Sequence, residues 1–156
     1  MESINPVLIL LGSYGTFAQK SVFLVFSECG IVVVKYDKDE IKAVTARLVQ
    51  ESKDRKEGKL KQIAASMHAI SVYCDLLART SIADILAQSS ENFLISKESL
   101  VRIKLDESHD TENNQDAYTL LVKSTKEKYK FRLQHSGSQI RDLKKVCKDY
   151  FPGIYK

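Results

Sequence analysis

Apolar residues open the chain in short runs. Val7 to Leu11, Ser21 to Phe26 and Ile31 to Tyr36 are rich in Val, Ile, Leu and Phe and are divided by Gly12, Gly15 and Gly30. Runs of this length bounded by glycine predict three strands in a meander. Gly30 supplies positive φ for a tight turn through Ser27, Glu28 and Cys29, so the flanking strands can pair directly. The period then lengthens. Asp37 and Glu40 have capping spacing, and Ile41, Val44 and Leu48 recur as on a helix that runs to the charged stretch Ser52 to Lys59 and is punctuated by Gly58. A second helix carries Leu60, Ile63, Ala64, Met67, Ile70, Cys74 and Leu77 on one stripe. A short third helix begins at Thr80 or Ser81, with Asp84 at capping-box distance from Ser81 and with Ile82, Ile85 and Leu86 apolar.

After Ser89 and Ser90 the two-residue period returns. Phe93, Leu94 and Ile95 precede a strand in which Val101, Ile103 and Leu105 alternate with Arg102 and Lys104. Tyr118, Leu120 and Val122 mark the next strand, and Tyr129, Phe131 and Leu133 alternate with Lys128, Lys130 and Arg132 in the one after. Ser124 to Glu127 is short enough to join these two as a hairpin. The last helix, Ser138 to Phe151, turns Ile140, Leu143, Val146, Cys147, Tyr150 and Phe151 inward and Arg141, Lys144, Lys145 and Lys148 outward, and Pro152 with Gly153 stops it. The expected fold class is α+β: a single domain over residues 1–156, built on an antiparallel sheet or partly open barrel, with a helical insertion at about 37–88 and a C-terminal amphipathic helix.

At 156 residues such a domain buries about 68–70% of its unfolded surface and needs no covalent staple. Cys29, Cys74 and Cys147 are odd in number and form no CxxC pair, and the N-terminus has no signal-type pattern, so a cytoplasmic location is expected. The apolar runs fall well short of the ~20 residues that span a bilayer, so no transmembrane segment is expected. The formal net charge of +4 arises entirely after residue 96. Asp106, Glu107, Asp110, Glu112 and Asp116 form an acidic segment there, and residues 117–156 that follow carry ten basic and three acidic side chains. That imbalance points to an acidic partner.

Candidate chemistry is sparse. Leu11 to Thr16 holds two glycines after a strand but lacks the Lys-Ser/Thr end of a phosphate loop and the helix that would follow it, so it reads as a turn. The three cysteines, with His68, His109 and His135 as conceivable bases, show no third orienting group; Cys74 and Cys147 fall on apolar helix faces and read as packed thiols, and Cys29 as more exposed. The acidic segment, with His109, Asn113 and Asn114, lacks the glycine and closing glutamate of a calcium loop and reads as a solvated hairpin loop. No catalytic residue, cofactor or metal ligand is assigned, and an enzyme is not expected. The stronger feature is the strand alternation. If Tyr129, Phe131 and Leu133 face the core, then Lys128, Lys130 and Arg132 face outward, as do Arg102 and Lys104 on their own strand. Lys123 and Lys126 at the adjoining turn extend this set. These five cations, Arg102, Lys104, Lys128, Lys130 and Arg132, are the candidate partner-binding residues. The alternative for them is a solvated face that discourages strand aggregation. The second helix, with Met67, Ile70, Tyr73, Leu76 and Leu77, is wider in its apolar surface than one stripe needs and serves either as core or as an interface.

Three segments carry a family resemblance: Phe23 to Tyr36 (FLVFSECGIVVVKY), Asn92 to Leu105 (NFLISKESLVRIKL), and the hairpin and closing helix from Tyr118 to Phe151. Their order resembles the pleckstrin-homology-like superfold of bacterial and archaeal PH-like and GRAM-type domains. Relative to that family, residues 37–88 are a helical insertion and the last helix lacks Trp, and no lipid-ligating residue is carried over. The resemblance implies a non-enzymatic interaction module, and such folds host protein and lipid binders alike. The expected partner is an acidic protein surface or a second copy of the chain. Anionic lipid headgroups on the basic face are the alternative, and nucleic acid is disfavoured because the outward residues carry no interleaved aromatics.

Overall fold

A computed structural model describes residues 4–15, 20–110, 115–134 and 137–156, without the side chains of 65–67, 110, 115–116 and 137–138. Seven strands form one antiparallel sheet: β1 Leu8–Tyr14, β2 Lys20–Ser27, β3 Gly30–Lys35, β4 Phe93–Ser96, β5 Leu100–Asp110, β6 Gln115–Ser124 and β7 Lys128–Gln134. The order across the sheet is β4-β3-β2-β1-β7-β6-β5, so the two meanders join where β1 meets β7, and β4 and β5 remain as edges. Among the described residues there are also five α-helices: α1 Lys38–Asp54, α2 Lys59–Met67, α3 Ala69–Ala78, α4 Ile82–Gln88 and α5 Gly137–Tyr150. The fold is α+β, with a sheet that is not closed into a barrel and a C-terminal helix.

The inner face of the sheet is built by the expected alternation. Leu24 and Phe26, Ile31 and Val33, Leu120 and Val122, Phe131 and Leu133 meet Ile140, Leu143 and Cys147 of α5 and Phe151 just after it in one core. β2 and β3 are apolar at consecutive positions because their other face is buried too: Phe23, Val25, Val32 and Val34 are each at most 2% exposed. Strands covered on both sides lose the polar half of their pattern, whereas those open on one side keep it. β6 and β7 keep it.

The chain divides into two compact units, one of Met1–Tyr36 with Thr80–Lys156 and the other Asp37–Arg79. In the first, α4 lies against β3 and is capped by Ser81, whose hydroxyl accepts from the Asp84 N–H. In the second, the Asp37 carboxylate caps α1 by accepting from the N–H groups of Asp39 and Glu40.

Four local expectations are corrected. Lys56, at φ 54°, takes the left-handed position after α1, so that helix stops before Gly58. The long second helix is two, α2 and α3, with a turn at His68. Ala69, Tyr73 and Leu77 are buried on α3, whereas Leu60 and Ile63 on α2 are exposed, because the turn shifts the phase of the apolar stripe. Gly12 and Ser13 sit inside β1 rather than in a turn, since Gly12 is where β7 crosses: a Cβ there would lie 2.9 Å from the Arg132 carbonyl oxygen. Asp106 to Asp110 continue β5, paired with 115–119 of β6, so the acidic segment is largely strand and not loop. Thr16, Glu112, Asn113, Asn114 and His135 lie outside the described residues.

Candidate binding surface

Pairing of β5, β6 and β7 arranges the outward side chains in rows, because residues directly opposite one another share a face. Arg102 pairs with Lys123, which pairs with Lys128. One step along, Lys104 pairs with Leu121 and Leu121 with Lys130. In the third row Asp106 pairs with Thr119, Thr119 with Arg132, and Arg132 with Ser13 of β1. All six cations are exposed. The five residues singled out from the sequence therefore share one face, and Lys123 joins them from the middle of a row rather than from the turn.

A bulge in β5 makes the first row possible. The register slips between Leu100 and Arg102, leaving Val101 as the additional residue. Simple alternation would turn Arg102 inward with Leu100. The bulge instead puts Val101 and Arg102 outward in succession before Ile103 returns to the core. Val101 is accordingly 47% exposed, against the expectation that it is buried with Ile103 and Leu105.

The face is hollowed along β7. A groove of about 360 Å³ is lined by Arg102, Lys104, Leu121, Lys123, Lys128 and Lys130. A second cavity of about 700 Å³ shares Lys128 and Lys130 and extends to Arg132, Thr119, Ser13 and Gly15. Two carboxylates border this trough. Asp106 is 3.4 Å from Lys104, and Glu127 at the hairpin turn lines the second cavity. Burial, followed by the nearby Glu127 charge and its hydrogen bond, pushes the Tyr129 phenol above its ordinary pKa. Among the described residues, no carboxylate pairs with Arg102, Lys123, Lys128, Lys130 or Arg132.

The α5 cations form a different kind of surface. Lys144 is held at 3.0 Å by Glu107, while Asp142 follows Arg141 and Asp149 follows Lys148 along the helix. Among the described residues, the four α5 cations are accompanied by Asp142, Asp149 and Glu107, whereas the six sheet cations are accompanied by Asp106 and Glu127.

The other candidates are not drawn together. Cys147 is buried, Cys29 and Cys74 are half-buried, and burial pushes the thiols of Cys74 and Cys147 up to about 11 and about 12. Cys29 Sγ sits 3.0 Å from Ser27 Oγ in the β2–β3 turn. His68 is exposed at the start of α3. Among the described residues, no group of three or more His, Cys, Asp or Glu side chains could hold a metal ion, and no helix is long and apolar enough to cross a membrane. No family model, curated protein or solved structure matches the chain.

Proposed function

We propose that this chain is a non-enzymatic, PH-like interaction module whose outer β5–β7 face docks an acidic protein surface. The observation that carries the reading is the concentration of six cations on three adjacent strands, bordered among the described residues by two carboxylates, Asp106 and Glu127. Like charges directly opposite one another across strands are destabilising, and the first row sets three of them side by side. An acidic partner relieves that repulsion on binding. The four-strand and three-strand meanders joined at β1 and β7, followed by a helix after β7, support the PH-like part of the proposal. The outward rows carry no aromatic ring, and Tyr14 and Tyr129, which line the cavities, pack against the buried Phe131, which favours protein over single-stranded nucleic acid.

The test is fluorescence anisotropy with labelled polyglutamate, comparing the intact chain with the triple variant Lys128→Glu, Lys130→Glu, Arg132→Glu, at low and high salt. The intact chain is expected to bind, to weaken as salt rises, and to lose about tenfold or more in affinity on charge reversal. Equal binding by both proteins removes the face from consideration. Binding to vesicles containing anionic lipid, with none to polyglutamate, transfers the same residues to a headgroup reading. Concentration-dependent dimerisation that is lost in the triple variant identifies a second copy as the partner.

A further inference from the structure

The trough has a direction. The two cavities share Lys128, Tyr129 and Lys130, so together they follow β7 from the Arg102–Lys123 end to the Arg132–Ser13 end. Along it, Lys128, Lys130 and Arg132 occupy every second position of one strand and are all exposed. Side chains at i and i+2 of a strand lie about 6.6–7 Å apart, and alternate side chains of any extended peptide repeat at the same distance. A ligand chain laid parallel or antiparallel to β7 can therefore set one side chain over each of the three cations.

The rows also differ in what they ask of a ligand. The first offers three cations and no acceptor. The second places half-buried Leu121 between Lys104 and Lys130, whose aliphatic stems can extend an apolar floor under their charged heads. The third brings its own carboxylate, Asp106, and flanks Arg132 with Ser13 and Thr119. The first row itself holds cations only, with Glu127 of the adjoining turn lining the trough beside it, and Asp106 is paired with Lys104.

We infer that the partner presents an extended acidic segment, with carboxylates at alternating positions facing Lys128 and Lys130 and aliphatic contact over Leu121. This rests on the acidic-partner reading above and adds conformation and register to it. A compact anion would satisfy one row and leave the rest of the trough unused.

Two labelled peptides of identical composition test it, one with glutamates alternating with serines and the other with the glutamates in one block followed by the serines. Anisotropy titration at low salt is expected to favour the alternating peptide by about tenfold. Lys130→Ala, an exposed substitution, is expected to abolish that preference. Folding of the variant is checked by its urea midpoint. Equal, salt-sensitive affinity for both peptides overturns the extended register while leaving the acidic-partner reading standing. Absence of binding to either peptide overturns both readings. Preference for the block peptide, or retention of the alternating preference in Lys130→Ala, also overturns the inferred register.

Discussion

At Gly30 the backbone has φ 135°, and a Cβ placed there would lie 2.1 Å from the Ile95 carbonyl oxygen. The residue serves two needs at once, positive φ in the β2–β3 turn and close approach of β4. Gly30→Ala is therefore expected to cost about 3 kcal/mol or more in urea denaturation, and a change under about 0.5 kcal/mol would contradict this account. Lys56 presents the converse case. It holds a left-handed conformation, φ 54°, with a side chain that disfavours it. Lys56→Gly is expected to stabilise the helical unit by about 0.5–1 kcal/mol, measured as a raised melting temperature. The turn at Gly30 was legible from the sequence because glycine announces it. The helix end at Lys56 was not, since nothing in a lysine signals positive φ. Cys147 adds a pH dependence. Its folded thiol is held protonated up to about 12, above the ordinary value of 9.0. As pH rises between those values, the unfolded state releases a proton that the folded state keeps, so stability present below 9 is progressively lost. The urea midpoint should fall from pH 8 to pH 10, and Cys147→Ala should make that fall shallower; an unchanged slope would show that the thiol plays no part.

At the scale of elements, β7 is legible because its alternation is strict and local: Phe131 is fully buried, Leu133 is 8% exposed, and Lys128, Lys130 and Arg132 are exposed. β5 was read in part. Ile103 and Lys104 obey the alternation, but the bulge beside Leu100 reverses Val101, and only pairing with β6 reveals it. The place of Lys123 was equally hidden, because a row is a relation among three strands and a sequence shows one at a time. Gly12 is another such case: its role depends on β7, over a hundred residues further along the chain. The helical stripe misled for a local reason, the turn at His68, which the apolar spacing does not mark. The row geometry yields a paired expectation for Lys123→Glu. Placing an acid between Arg102 and Lys128 should raise stability by about 0.2–1 kcal/mol while weakening polyglutamate binding. Loss of stability together with unchanged binding would contradict the cross-strand repulsion on which the functional reading depends.

Across the whole sheet, the outer face has two chemical regimes. Over β2 and β3 it is apolar and buried, and over β5 to β7 it is cationic and exposed. Continuous apolar runs in the first meander and alternating runs in the second already contained this division; what covers or leaves open each half could not be read from either pattern. The charge of the molecule has the same asymmetry. Its net +4 is a modest total, but the sheet rows concentrate cations while α5 intersperses its own with acids. A bulk measurement of charge would miss that difference. Backbone amide NMR during titration with the alternating glutamate–serine peptide resolves it directly. The expected result is that shifts concentrate at Arg102, Lys104, Leu121, Lys123, Lys128, Lys130 and Arg132 and disappear in the triple charge reversal. Shifts centred on Arg141, Lys145 and Lys148 of α5, with the sheet rows unmoved, would contradict the account.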